Sequence, residues 1–155
     1  MDSLIIFGAK YLFLAVPLLL LVALYQASEK HRKQILLAVA VAVVVAAILD
    51  KIASKLYYDP RPFVTHHIKP LVSHAADNGF PSEHTLGCFT LASVIFLYRK
   101  RLGYLALAIG LIVGISRVAA HVHSPIDIAG GILFGLAAGY LGKKLADYRL
   151  APRKK

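Results

Sequence analysis

Five apolar stretches separated by polar connections set the pattern of this chain. The first covers roughly Leu4–Tyr25 and is interrupted only by Lys10 and Pro17. The second covers roughly Ile35–Ile52 and is built largely of Ala and Val; the others cover roughly Thr85–Tyr98, Leu102–Ala120 and Ile126–Leu141. None carries the one-sided apolar stripe of a surface helix in a soluble protein. Each is apolar all round, as helices facing lipid or a bundle interior are. About 20 such residues cross a bilayer as a helix. The pattern therefore predicts an all-α, integral membrane helical bundle in one domain, with about five transmembrane helices. A sixth element is available if residues 63–78 form a short interfacial helix. On the last stretch, Gly131, Gly135 and Gly139 recur every fourth residue, which predicts a face for close helix packing.

The polar connections give the predicted bundle an orientation. Lys30, Arg32 and Lys33 follow the first stretch, Arg99, Lys100 and Arg101 the third, and Lys143, Lys144, Arg149, Arg153, Lys154 and Lys155 the fifth. An odd number of spans puts all three groups on one face, and basic residues mark the cytoplasmic face. Tyr25, Tyr98, Tyr104 and Tyr140 fall near the same ends, as interfacial anchors do. The N-terminus and the connections around 53–82 and 121–125 are then expected outside.

Composition agrees with this picture and closes other routes. The chain has 155 residues, 58% of them hydrophobic, yet its formal net charge is +10. A soluble domain so apolar has no interior large enough for its side chains. The cations sit between apolar runs and carry no nucleic-acid-binding motif, so nucleic acid is not an expected partner. Cys88 is the single cysteine, which excludes an internal disulfide and a cysteine-based zinc site. The first stretch lacks a basic n-region and reads as a span, not as a cleaved leader.

Six of the seven histidines lie in or beside the two outward connections, His31 being the exception. Three clusters there carry chemistry: Lys55-Leu-Tyr-Tyr-Asp-Pro-Arg61-Pro62, Pro81-Ser82-Glu83-His84, and Ser116-Arg117 followed by His123 and Asp127. Lys55, Arg61 and Arg117 are suited to phosphoryl oxygens, the arginines as bidentate forks. Ser82 stands where an N-cap precedes the third stretch, beside backbone N–H groups that can hold an anion. His123 and Asp127 are one helical turn apart, so the carboxylate can fix the second ring nitrogen of a nucleophilic imidazole. His84 arrives from another helix and can donate and accept the proton of a leaving oxygen. Phosphoryl transfer asks mainly for positioning and charge, which this set supplies without a metal or cofactor. Asp127 also suits a helix start with Ser124 and Pro125, and both roles can coexist. His121 is a candidate contact two residues before His123, whereas His66, His67 and His74 read as solvated loop residues.

The three clusters together resemble the signature of the type 2 phosphatidic acid phosphatase (PAP2) superfamily, over about Lys55 to Asp127. That resemblance implies catalytic His123, His84 and Asp127, with Lys55, Arg61, Ser82 and Arg117 on phosphate. Glu83, in place of a small residue, and the stretches Leu-Tyr-Tyr-Asp-Pro-Arg-Pro-Phe and Ser73-His74-Ala75-Ala76-Asp77 are similar to the bacitracin-resistance branch of undecaprenyl-diphosphate phosphatases. The branch implies a polyprenyl diphosphate substrate and a site facing outward; Glu83, like His121, is a candidate either to support the site or to contact substrate. Two alternatives stand beside it: a broader lipid phosphatase acting on phosphatidylglycerol phosphate or phosphatidate, and a histidine-lined metal permease.

Overall fold

Each of the five apolar stretches is helical in the computed structural model, which describes residues 1–150; Arg153, Lys154 and Lys155 lie outside the described residues. The first stretch is broken. Helix α1 (Asp2–Lys10) and helix α2 (Ala15–Tyr25) are joined by a single 3-10 turn at Leu12–Leu14, and the two halves bend by 43°. Pro17 has no N–H to offer the preceding turn, and its ring crowds the carbonyl four residues back. A helix can therefore restart just before Pro17 but cannot run through it, and Pro17 sits in the first turn of α2.

Helix α3 (Glu29–Leu56) extends well beyond the apolar run at both ends. Ser28 caps it by accepting a hydrogen bond from the His31 N–H at 3.5 Å, and Glu29 pairs with Lys33 at 2.9 Å. A four-residue helix, α4 (Pro62–Thr65), is followed by α5 (Glu83–Tyr98), α6 (Lys100–Ala119) and α7 (Pro125–Leu150). Helices α3, α6 and α7 are each long and apolar enough to cross a membrane, and the bent α1–α2 pair makes a fourth span when taken as one. Helix α5 has only 16 residues. It is the central post of the bundle, packed against α2, α3, α6 and α7, so its faces meet protein where the other helices meet lipid.

The glycine stripe works as its spacing predicts. A Cβ on Gly131 would come within 2.9 Å of the Ser82 carbonyl, on Gly135 within 2.8 Å of the Leu86 carbonyl, and on Gly139 within 2.5 Å of Ser93 Cβ. All three partners belong to α5 or its N-cap, so α7 lies directly on the α5 backbone. Outside this core, Leu18, Leu21, Val44, Ile115 and Leu133 are exposed. Such a belt of bare aliphatic side chains suits a lipid solvent and no aqueous one. The protein is a membrane helical bundle.

At one end of the bundle the basic connections converge: Arg99 donates to the Gln26 carbonyl, and the Tyr98 hydroxyl to Asp147 at 3.4 Å. At the other end lie the long α3–α5 connection and the α6–α7 turn. Apart from α4, residues 63–78 form no helix. His67 has a φ of 52°, and Pro70 restricts the residue before it to extended backbone. Either is enough to stop a helix here. The connection is ordered instead by Asn78. Its side-chain oxygen accepts from the N–H groups of Asp59 and Phe80 at 2.9 and 3.0 Å, and its amide donates to the carbonyls of Ser54 and Tyr57 at 3.0 and 2.9 Å.

Candidate active site

A tight turn between α6 and α7 presents His123. His121 takes the left-handed conformation, φ 61°, and its carbonyl accepts from the Phe63 N–H at 3.1 Å. Val122 is buried in a small apolar cluster with Ala9, Val72 and Ala120, which turns His123 inward until it is 2% exposed. His123 Nδ1 lies 3.1 Å from Asp127 Oδ2, which also accepts from the Ser124 N–H at 2.8 Å. Asp127 is fully buried, and the chain can pass this close only because residue 79 is glycine: a Cβ there would be 2.7 Å from the same oxygen.

The other ring nitrogen, Nε2, is flanked by two guanidinium groups, Arg61 Nη1 and Arg117 Nη2, each at 3.3 Å. A guanidinium only donates. Nε2 must therefore offer its lone pair, and the ring proton sits on Nδ1, facing the carboxylate. Burial pushes the His123 pKa below its usual value of 6.5, the bond to Asp127 opposes this, and Arg117 and Arg61 reinforce it. The imidazole is thus neutral at pH 7, with its lone pair aimed between two cations.

Both arginines are held by fixed acceptors. Arg61 Nε donates to Asp77 at 2.7 Å, Nη1 to the Val122 carbonyl at 2.8 Å and Nη2 to the Asn78 carbonyl at 3.3 Å. Arg117 Nη1 donates to the Ala9 carbonyl at 3.2 Å. That acceptor comes from the last turn of α1, where carbonyls lack helical partners. The break in the first span thus supplies a ligand that orients a cation at the site.

These groups line a cavity of about 140 Å³ together with His74, His84, Glu83 and Asp50. His84 is half-buried, its ring edge-on to Phe13 with centroids 5.0 Å apart. Ser82 is fully buried at the N-cap of α5, where its hydroxyl accepts from Thr85 Oγ1 at 3.1 Å and its N–H donates to the Asp127 carbonyl at 3.1 Å. It joins α5 to the start of α7 but is not part of the cavity wall. Glu83 is exposed at the rim. Lys55 is exposed in the last turn of α3, outside the cavity lining, and His121 is an exposed turn residue, also outside it. Among the described residues, no three His, Cys, Asp or Glu side chains are grouped to hold a metal ion.

Two wall residues escape sequence reasoning. His74 is no solvated loop residue: its ring centroid is 6.0 Å from that of His123, and its Nδ1 is buried. Burial, then the charges of Arg61, Arg117 and His123, hold its pKa below 6.5. Asp77 tethers Arg61, and that bond holds its own pKa below 3.8. The sequence marked both only as members of the stretch Ser73–Asp77, and the folded connection shows what each of them touches. Below the site runs an apolar groove of about 530 Å³ between α2, α3 and α5, which meets the cavity at Glu83 and His84.

Residues 34–151 match the family model of the PAP2 superfamily. The chain belongs to the PAP2 superfamily. Within it, the chain is 29% identical over 147 residues to the undecaprenyl-diphosphatase BcrC of Bacillus subtilis, covering 95% of this chain and 76% of that one. It is 38% identical over 137 residues to the bacitracin transport permease protein BcrC of Bacillus licheniformis, covering 88% and 67%. Among solved structures it is similar to LpxE of Aquifex aeolicus, with 25% identity, 92% and 82% coverage and a TM-score of 0.64.

Proposed function

We propose that this PAP2 protein is a membrane lipid pyrophosphate phosphatase that hydrolyses undecaprenyl diphosphate to undecaprenyl phosphate and inorganic phosphate through a phosphohistidine. The observation that carries the reading is the environment of His123: Nδ1 on a buried carboxylate and Nε2 between two fixed guanidinium groups. Nε2 attacks the terminal phosphorus, and the bond from that phosphorus to the bridging oxygen breaks. Arg61 and Arg117 hold the equatorial oxygens as charge spreads over them. His84 gives its proton to the bridging oxygen, then takes one from the water that cleaves the N–P bond. Asp127 stabilises the imidazolium formed in between. Ser82 and Asp77 hold the parts in register, and Lys55, outside the cavity, takes no part in this scheme. The apolar groove beneath His84 suits the lipid chain. The site faces outward, with the basic end of the bundle in the cytoplasm, and residues 1–155 act as one domain.

The names of the relatives are divided between hydrolysis and transport. A nucleophile, an orienting carboxylate and a proton donor converging on one cavity favour hydrolysis, since a permease needs none of them in that relation. The test is phosphate release in detergent with EDTA from undecaprenyl diphosphate, phosphatidylglycerol phosphate and phosphatidate. The diphosphate is expected to be the best substrate. The His123→Ala variant should be inactive, and an acid-labile, base-stable phosphate should be trapped on the wild type only. An active His123→Ala variant sinks the nucleophile assignment, and preference for a phospholipid monoester sinks the substrate.

A further inference from the structure

A second cavity, of about 360 Å³, lies against the first and shares His74, His84 and Arg117 with it. The two differ in charge. Asp50, Asp77 and Glu83 line the first, whereas the second has no carboxylate and gains Lys10, from the end of α1. Two buried polar atoms belonging to the shared wall have no hydrogen-bond partner: His74 Nδ1 and Arg117 Nε. Arg117 is 3% exposed, and an unpaired N–H on a buried cation is costly unless an anion completes it. Lys10 is the single charged residue of the first apolar stretch. Among the described residues it makes no ion pair, and its ammonium lies 5.3 Å from the Tyr11 ring centroid. A lysine within a membrane segment is retained where it meets a polar compartment or a partner.

We infer that this second cavity is an anion subsite for the phosphate that stays on the lipid, with Lys10 as its cation, so that the protein selects diphosphates over monophosphates. The inference rests on the proposed function and names the basis of its substrate choice. His84 borders both cavities and the apolar groove, which is where the bridging oxygen must lie for His84 to protonate it. From that point the retained phosphate has two neighbours. Glu83, on the groove side, repels it; Lys10, on the α1 side, attracts it. Its oxygens turn toward Lys10 and the unpaired Arg117 Nε while the lipid chain descends past Phe13. A monophosphate ester has only an alcohol oxygen at this place, so Lys10 offers it nothing.

The experiment compares wild type with Lys10→Ala and Lys10→Arg, purified in detergent with matched thermal unfolding. For Lys10→Ala, kcat/KM on undecaprenyl diphosphate should fall about tenfold, the worth of one charge-assisted contact. Lys10→Arg should retain most of the activity. Competitive inhibition by inorganic pyrophosphate should weaken by a similar factor, while inhibition by orthophosphate stays unchanged. An equal loss of pyrophosphate and orthophosphate inhibition, or no loss of either, overturns the subsite and leaves the phosphatase assignment standing. A wild type that releases no phosphate from the diphosphate overturns the proposed substrate, and the Lys10 inference with it.

Discussion

The two nitrogens of His123 face opposite demands: one must donate to a buried carboxylate, the other must stay free between two cations. Replacing Asp127 by Asn tests that division. An asparagine amide can present its own donor to Nδ1, which moves the ring proton to Nε2 and points it at two guanidinium groups. Turnover should then drop by orders of magnitude, up to about 10⁴-fold. The pH profile supplies an independent reading. The His123 pKa lies below 6.5, so the acid limb of kcat/KM should fall below pH 6.5 in the wild type. Asp127 raises that pKa, by its bond and by its charge, so Asp127→Asn should move the limb to still lower pH. A limb that does not move leaves Asp127 as a helix cap only. At this scale the contact between His123 and Asp127 was legible, because the two lie four residues apart across the start of α7. The contacts of His74 and Asp77 were not, since their positions depend on how an irregular connection is knotted by Asn78. For Lys55, the sequence expectation rested on charge and proximity in the chain; the residue is exposed in the last turn of α3 and does not line the cavity.

Among the elements, α5 and α7 set the geometry, because each carries part of the site and they touch backbone to backbone. Gly135 has the Leu86 carbonyl and the Thr90 nitrogen within 2.9 Å of a would-be Cβ, whereas Gly87, also helical, has nothing within 4 Å. The same substitution should therefore act with opposite sign at the two positions. Gly135→Ala is expected to destabilise by about 1–3 kcal/mol through overpacking. Gly87→Ala should stabilise by roughly 0.5–1 kcal/mol through reduced chain entropy. Thermal unfolding in detergent, followed by circular dichroism, checks both; equal shifts would contradict the close approach of the helices. The glycine period announced this contact in the sequence. The break in the first span was marked only by Lys10 and Pro17, and a proline near a helix start is compatible with either a straight or a bent segment.

For the molecule as a whole, the apolar pattern gave the helices and the basic connections gave the two ends, since both signals are local. The fit of α5 into the centre was not visible, because a short apolar helix reads alike whether it meets protein or lipid. Orientation across the bilayer has a direct check. With buried Cys88 replaced by Ala, single cysteines at exposed Ala76 and exposed Lys33 should differ toward a membrane-impermeant maleimide on intact cells. Position 76 should label and position 33 should not; the reverse pattern inverts the topology.

The hydrogen bond between Arg117 and the Ala9 carbonyl joins residues 108 positions apart, and this has a consequence for biosynthesis. A ribosome delivers Ala9 to the membrane long before Arg117, and Arg117 before His123 and Asp127. Until α7 arrives, the early segments hold acceptors with no cation and cations with no nucleophile. A chain that ends before α7 lacks Asp127, the buried partner of His123 Nδ1, and is expected to insert without releasing phosphate.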